Sequence, residues 1–166
     1  MILGLDISTT CIGYCVYDEK NILDKNAIKL EGEFYNRVDV ALKEIDRIVD
    51  GWKIKKVHIE DFLMKFAIGK SSAFSINKLI AFNSILSYHL YKKNLIIKRY
   101  NVLTARKVLF GQAKNKFYKN SKEFVLEMLR KKLGQEYIDT LPLNTRGNIA
   151  VESYDINDAV VMALQK

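Results

Sequence analysis

Met1-Ile-Leu-Gly-Leu-Asp-Ile-Ser-Thr-Thr10 opens the chain, and its reading decides the fold. Ile2, Leu3, Leu5 and Ile7 are apolar on both sides of the period-two alternation. That pattern predicts a strand buried on both faces, the kind that lies inside an α/β sheet. Asp6 interrupts it. Burying a lone carboxylate costs several kcal/mol unless a cation or strong donors meet it. Asp6 is therefore either half of a structural ion pair or a ligand for a metal ion.

Working outward, Cys11 to Tyr17 (CIGYCVY) predicts a second strand after a turn at Ser8-Thr9-Thr10, and Ile22 to Leu30 a third, more polar one. Three short strands in succession predict an antiparallel meander. From Asn36 to Trp52, Val38, Ala41, Leu42, Ile45, Ile48 and Val49 fall at helical spacing, and Gly51 marks the expected end. Lys53 to Glu60 predicts a fourth strand, ending in Glu60 and Asp61. His58 within it reads as a lysine-flanked residue near the surface. Ser71 or Ser72 is placed to cap a long helix running to about Lys92. Leu95 to Tyr100 predicts a fifth strand. Three more helices are expected: one capped by Thr104 and running to Phe110, one capped by Ser121 and running to about Leu133, and Tyr154 to Gln165 capped by Ser153. Residues 134–148, with the sole proline Pro142, read as an irregular connection. The expected fold is α/β: a mixed five-stranded sheet, antiparallel meander plus parallel strands, with helices on both faces. All 166 residues read as a single domain.

Composition narrows the function. No apolar run is long enough to span a membrane, and the strand-like start is unlike a signal peptide. Cys11 and Cys15 lack a partner Cys/His pair, which argues against zinc and for buried thiols in a reducing, cytoplasmic compartment. The formal charge is +8. Between Lys98 and Lys132 there are 11 Lys/Arg against 2 Glu, so this segment holds the entire excess. Such a concentration predicts a polyanionic partner, nucleic acid first, unless it is only a solvated lysine-rich surface. Phe117 and Tyr118 stand among Lys114, Lys116 and Lys119; they suit either base stacking or burial as a loop anchor.

Carboxylates recur at element ends: Asp6, Glu60, and Asp155 with Asp158, which share a helix face. At ~4 Å and an effective dielectric of ~20, each like-charge pair costs about 4 kcal/mol. A cluster of such acids calls for a cation, and all-oxygen ligation suits Mg²⁺ or Mn²⁺. Each acid alone also has a structural reading, as a helix cap or an exposed strand end.

With those motifs in place the chain resembles the RuvC family of Holliday-junction resolvases, in the RNase H-like superfamily, and its phage-encoded members most. I-L-G-L-D-I-S-T-T-x-x-G resembles the family's G-x-D-P-G start, with Ser8 in the place of the turn glycine. V-H-I-E-D-F-L-M resembles A-I-E-x-x-F-M, and D-I-N-D-A-V-V-M-A resembles D-x-x-D-A-L-A-I-A. The resemblance implies that Asp6, Glu60, Asp155 and Asp158 bind two Mg²⁺ ions per site, with Mn²⁺ as a substitute. It places Arg106 and Lys122 where the family has lysines near the scissile phosphate, and Lys122 among the catalytic residues. It aligns Leu63, flanked by Phe62 and Phe66, with the family's junction-wedging aromatic. Phe82 and Asn83 stand where the family has small residues, which predicts altered dimer packing.

The function so implied is a structure-selective endonuclease. It cuts branched DNA by paired phosphodiester hydrolysis in a homodimer, leaving 3′-OH and 5′-phosphate ends. Lys107, Lys114, Lys116 and Lys119 would join Lys122 in holding DNA. Three other readings stand beside it. One is an RNase H-type or flap nuclease of the same fold, and another a non-catalytic junction-binding protein. The third is an ATPase, since L-D-I-S-T-T resembles the D-x-G-T-T loop of actin-like and sugar kinases. That fold needs two such domains, more than this length supplies, so no nucleotide cofactor is expected.

Overall fold

Alternation along the first strand sorts the molecule into two layers. The computed structural model describes residues 1–61 and 73–166. Strands β1 (Ile2–Ile7), β2 (Cys11–Tyr17) and β3 (Ile22–Lys29) form an antiparallel meander, and β4 (Lys56–Glu60) and β5 (Ile96–Tyr100) continue the sheet in parallel on the other side of β1. The order is β3-β2-β1-β4-β5, so β1 is central. This is the five-stranded mixed sheet expected from the sequence.

One face is covered by α1 (Phe34–Trp52) and α2 (Ala73–Lys92). Leu3, Leu5, Ile7, Val57 and Ile59 meet Ile45 and Ile48 of α1 and Phe82, Leu86 and Leu90 of α2 in one apolar cluster. Phe82 and Asn83 are both buried within the chain. Phe82 fills this cluster, so its bulk is taken up inside the chain.

The other face carries α3 (Val102–Phe110), α4 (Ser121–Leu133), the short α5 (Gln135–Asp139) and α6 (Glu152–Ala163). Helix α6 lies directly on β1 and β2, and two glycines allow it. A methyl group at Gly4 would collide with the backbone of Ala159 and Ala163; one at Gly13 would collide with the backbone of Asp155 and Ile156. Gly13 is also the register partner of Asp6. The strands therefore give way right beside the acid, and the start of α6 comes down next to it.

Several boundaries differ from expectation for local reasons. Asn101 and Asn120, rather than Thr104 and Ser121, cap α3 and α4, each side chain accepting two backbone N–H bonds. Helix α1 runs through Gly51 and ends where Lys53 turns left-handed. Ser153 does not cap α6: it is buried inside the first turn and donates to the Pro142 carbonyl at 2.9 Å. Within the stretch read as irregular, Gln135 to Asp139 form a helix, its Tyr137 buried against the second core.

Candidate active site

Strand β1 presents Gly4 and Asp6 on the α6 face, because side chains two apart point the same way. The parallel register pairs Leu5 with Ile59, which brings Asp6 beside Glu60 at the ends of β1 and β4. Asp158 descends from α6. One carboxylate oxygen each from Asp6, Glu60 and Asp158 lie within 4.8 Å of one another. Asp155 stands one turn earlier on α6, close enough for its charge to act on Asp6, Glu60 and Asp158. The four acids foreseen from the sequence thus share one neighbourhood, three of them within ligating reach of a common point.

The electrostatics are those of a strained anionic pocket. Burial, then the charges of Glu60, Asp158 and Asp155, push the Asp6 carboxyl well above the usual range, with Lys122 opposing. Glu60 is raised to about 7, first by burial and then by Asp158, against the pull of Arg106. Burial also raises Asp158, and Arg106 counters it. All three shifts mean that ionising the cluster is costly in the metal-free protein.

Arg106 sits elsewhere than on an exposed DNA-facing surface. Its residue is 6% exposed, and its guanidinium donates to Asp158 Oδ1 at 2.7 Å. The pair is an internal counter-charge within the cluster. Lys122 is exposed at the start of α4, with its ammonium 5.0 Å from the Tyr154 ring centroid on α6. Its charge lowers both Asp6 and Asp158. Lys107, Lys114, Lys116 and Lys119 are all exposed on α3 and the loop that follows. Phe62, Leu63 and Phe66 lie outside the described residues.

Several features escaped sequence reasoning. The Cys11 thiol, pushed up to about 12 by burial and by its hydrogen bond to Asp155, stays protonated beside that acid. Gly4 and Gly13 set the helix height; their spacing from Asp6 along and across the strands was the available signal. His58 is buried rather than near the surface as expected. Its Nδ1–H donates to the Met162 carbonyl at 3.1 Å, and burial lowers its pKa. Ser8, which replaces a turn glycine, closes the turn itself: Oγ donates to the Cys11 carbonyl at 2.7 Å and accepts from Cys11 N at 3.0 Å.

No family model matches the sequence, and no curated protein matches it in sequence. Solved structures do match. Thermus thermophilus RuvC in complex with a Holliday junction substrate aligns with TM-score 0.68 at 12% identity, covering 98% of this chain and 89% of that one. A second T. thermophilus RuvC structure gives 0.65 at 16%, covering 98% and 90%. The yeast mitochondrial Holliday junction resolvase Ydc2 gives 0.66 at 13%, covering 98% and 75%. The chain has an RNase H-like fold. Within that class its architecture is the RuvC type, over nearly its whole length.

Proposed function

We propose that this chain is a divalent-metal-dependent endonuclease that cuts Holliday junctions and related branched DNA as a homodimer. The observation that carries the reading is the convergence of Asp6, Glu60 and Asp158, from three separate elements, within 4.8 Å in a fold shared with junction resolvases. Their oxygen donors and raised pKa values fit a hard divalent cation. Asp6, Glu60 and Asp158 would hold the metal, with Asp155 as the fourth acid. Mg²⁺ or Mn²⁺ bound there, two ions per site, supplies an activated water and charge stabilisation at the leaving oxygen.

The remaining work falls to the chain's own side chains. Arg106 holds Asp158 in place and offsets its charge. Cys11 lies beside Asp155 as a neutral thiol and adds no charge to the cluster. Lys122 stands at the edge of the acids, where it would offset negative charge on the phosphate. Lys107, Lys114, Lys116 and Lys119 would hold DNA backbones, which positions the substrate without reading its sequence.

A synthetic four-way junction incubated with and without Mg²⁺, with nicks mapped on all four strands, tests the reading. Paired, symmetric nicks that require Mg²⁺ are expected. A flap and an RNA–DNA hybrid in the same panel separate junction resolution from the other nuclease activities. No cleavage of any substrate would sink the proposal.

A further inference from the structure

The loop joining α3 to α4 carries two adjacent aromatics with opposite fates. Tyr118 is the anchor: it is partly buried and packs edge-on against Phe124, ring centroids 5.6 Å apart. Phe124 is buried in α4. Phe117, next to it, is 84% exposed, more than any other large hydrophobic side chain among the described residues. A phenylalanine left in water forgoes the stabilisation that burial would give, so the fold gains nothing from its exposure.

The backbone that carries the ring is also held in place. Asn115 Oδ1 accepts from Phe117 N at 3.0 Å, and Tyr118 N donates to the Asn115 carbonyl at 3.2 Å. Lys119 N donates to Glu123 Oε2 at 3.0 Å, and Asn120 caps α4. The loop carries Lys114, Lys116 and Lys119, all exposed, with the Lys116 ammonium 5.7 Å from the Phe117 ring centroid. The same loop leads straight into Lys122, whose charge reaches Asp6 and Asp158.

We propose that Phe117 is a stacking platform for an unpaired nucleic-acid base, presented by the lysine loop that leads into α4. The inference rests on the reading of the chain as a nuclease for branched DNA and names a contact that serves it. A single exposed aromatic with a lysine ammonium close by, on a loop with two further exposed lysines, suits a base with its phosphates. It does not form the broad apolar patch that a protein partner would cover. Stacking tolerates any base, because each has a π face, while the lysines engage the backbone.

The test measures metal-free equilibrium binding of wild type, F117A and F117W to three labelled DNAs: an oligo(dT) single strand, a four-way junction and a linear duplex. Circular dichroism confirms the fold of each variant. F117A should bind the single strand and the junction about tenfold more weakly and the duplex equally well, and F117W should restore affinity. The slope of log affinity against log salt should not change in F117A, whereas K116A should reduce it by about one. Equal affinities of wild type and F117A for the single strand, or the same loss on duplex, would overturn the proposal. So would light scattering that shows a dimer in wild type and a monomer in F117A, since the ring would then pack against a second copy. If wild type cuts no branched substrate, the nuclease reading fails by itself, and the single-strand binding still decides the stacking.

Discussion

The two faces of the sheet are built from alternate residues of the same strands and do opposite things. Toward α1 and α2, β1 turns Leu3, Leu5 and Ile7 and β4 turns Val57 and Ile59, all buried in apolar contact. Toward α6, the same strands turn Gly4 and Asp6, and His58 and Glu60. The first face gains stability from every side chain. The second accepts glycines, a buried histidine, a buried arginine and mutually repelling acids. One backbone thus separates holding the fold from holding the chemistry by a single residue of register. Substituting adjacent residues of β1 separates the two roles most directly.

Asp6→Asn is expected to have the largest effect. On the proposed reading it lowers metal-dependent junction cleavage on the order of 10³-fold, since several kcal/mol of charge stabilisation disappear. The same change should stabilise the metal-free protein, because it removes one charge from a repelling cluster. Leu5→Ala, one residue away, should do the reverse and destabilise by about 2–5 kcal/mol. Chemical denaturation of both variants beside a cleavage assay checks the pair. A metal-free Asp6→Asn variant less stable than wild type would erase the distinction between the faces.

Arg106→Ala is next. It leaves Asp158 buried without its partner, and removing one member of a buried pair costs about 3–5 kcal/mol. Part of that loss should be recovered below the raised Asp158 pKa, where the carboxyl protonates. A surface Arg→Ala such as Arg146→Ala should change stability by less than about 0.5 kcal/mol. If both variants melt alike, Arg106 is no internal counter-charge.

How much of this was legible in the sequence follows the same division. The apolar face was written in plain periodicity, and every strand was found within a few residues. The acids were legible because a carboxylate in a buried strand conflicts with its surroundings. Arg106 was not, because a guanidinium on an amphipathic helix looks solvent-facing until the helix it packs on is known. Gly4 and Gly13 were silent for a related reason: a glycine in a strand says that something comes close but not what. The helix starts slipped because the asparagines that cap them, Asn101 and Asn120, lie just outside Thr104 and Ser121, which were read as the caps.

The glycines sharpen the comparison without touching any acid. Gly13→Ala places a methyl group against the Asp155 backbone, so α6 must rise and carry Asp155 and Asp158 with it. Overpacking of this kind costs about 1–3 kcal/mol. Cleavage should fall further than that stability loss explains at temperatures where the variant is fully folded. Gly51→Ala, where a methyl group meets nothing within 4 Å, is the matched control and should stay silent in both assays.

The smallest effect is pH dependence, and its sign again separates the faces. Glu60 is raised from an ordinary 4.5 to about 7, and Asp6 and Asp158 move in the same direction. Stability linked to such groups is fully present below their unfolded pKa and is lost as pH rises through the folded value. His58 is lowered from 6.5 by burial, so its contribution is present above 6.5 and lost as pH falls through its folded value. Both trends belong to the α6 face; on the other side Tyr14 is pushed up to about 12 and Asp46 is held below its ordinary 3.8, so neither changes charge in the same range. Without metal, stability should therefore decline as pH rises from about 4.5 to about 7, on the order of 1 kcal/mol for each pH unit crossed, with His58 opposing the decline only below 6.5. Cations held by the acids should cancel that decline, because they compete with protons for the same oxygens. Melting curves from about pH 5.5 to 8, with and without Mg²⁺, should show a metal increment that grows with pH in wild type and shrinks in Glu60→Gln. An increment equal at every pH would mean that the ion binds somewhere other than these acids.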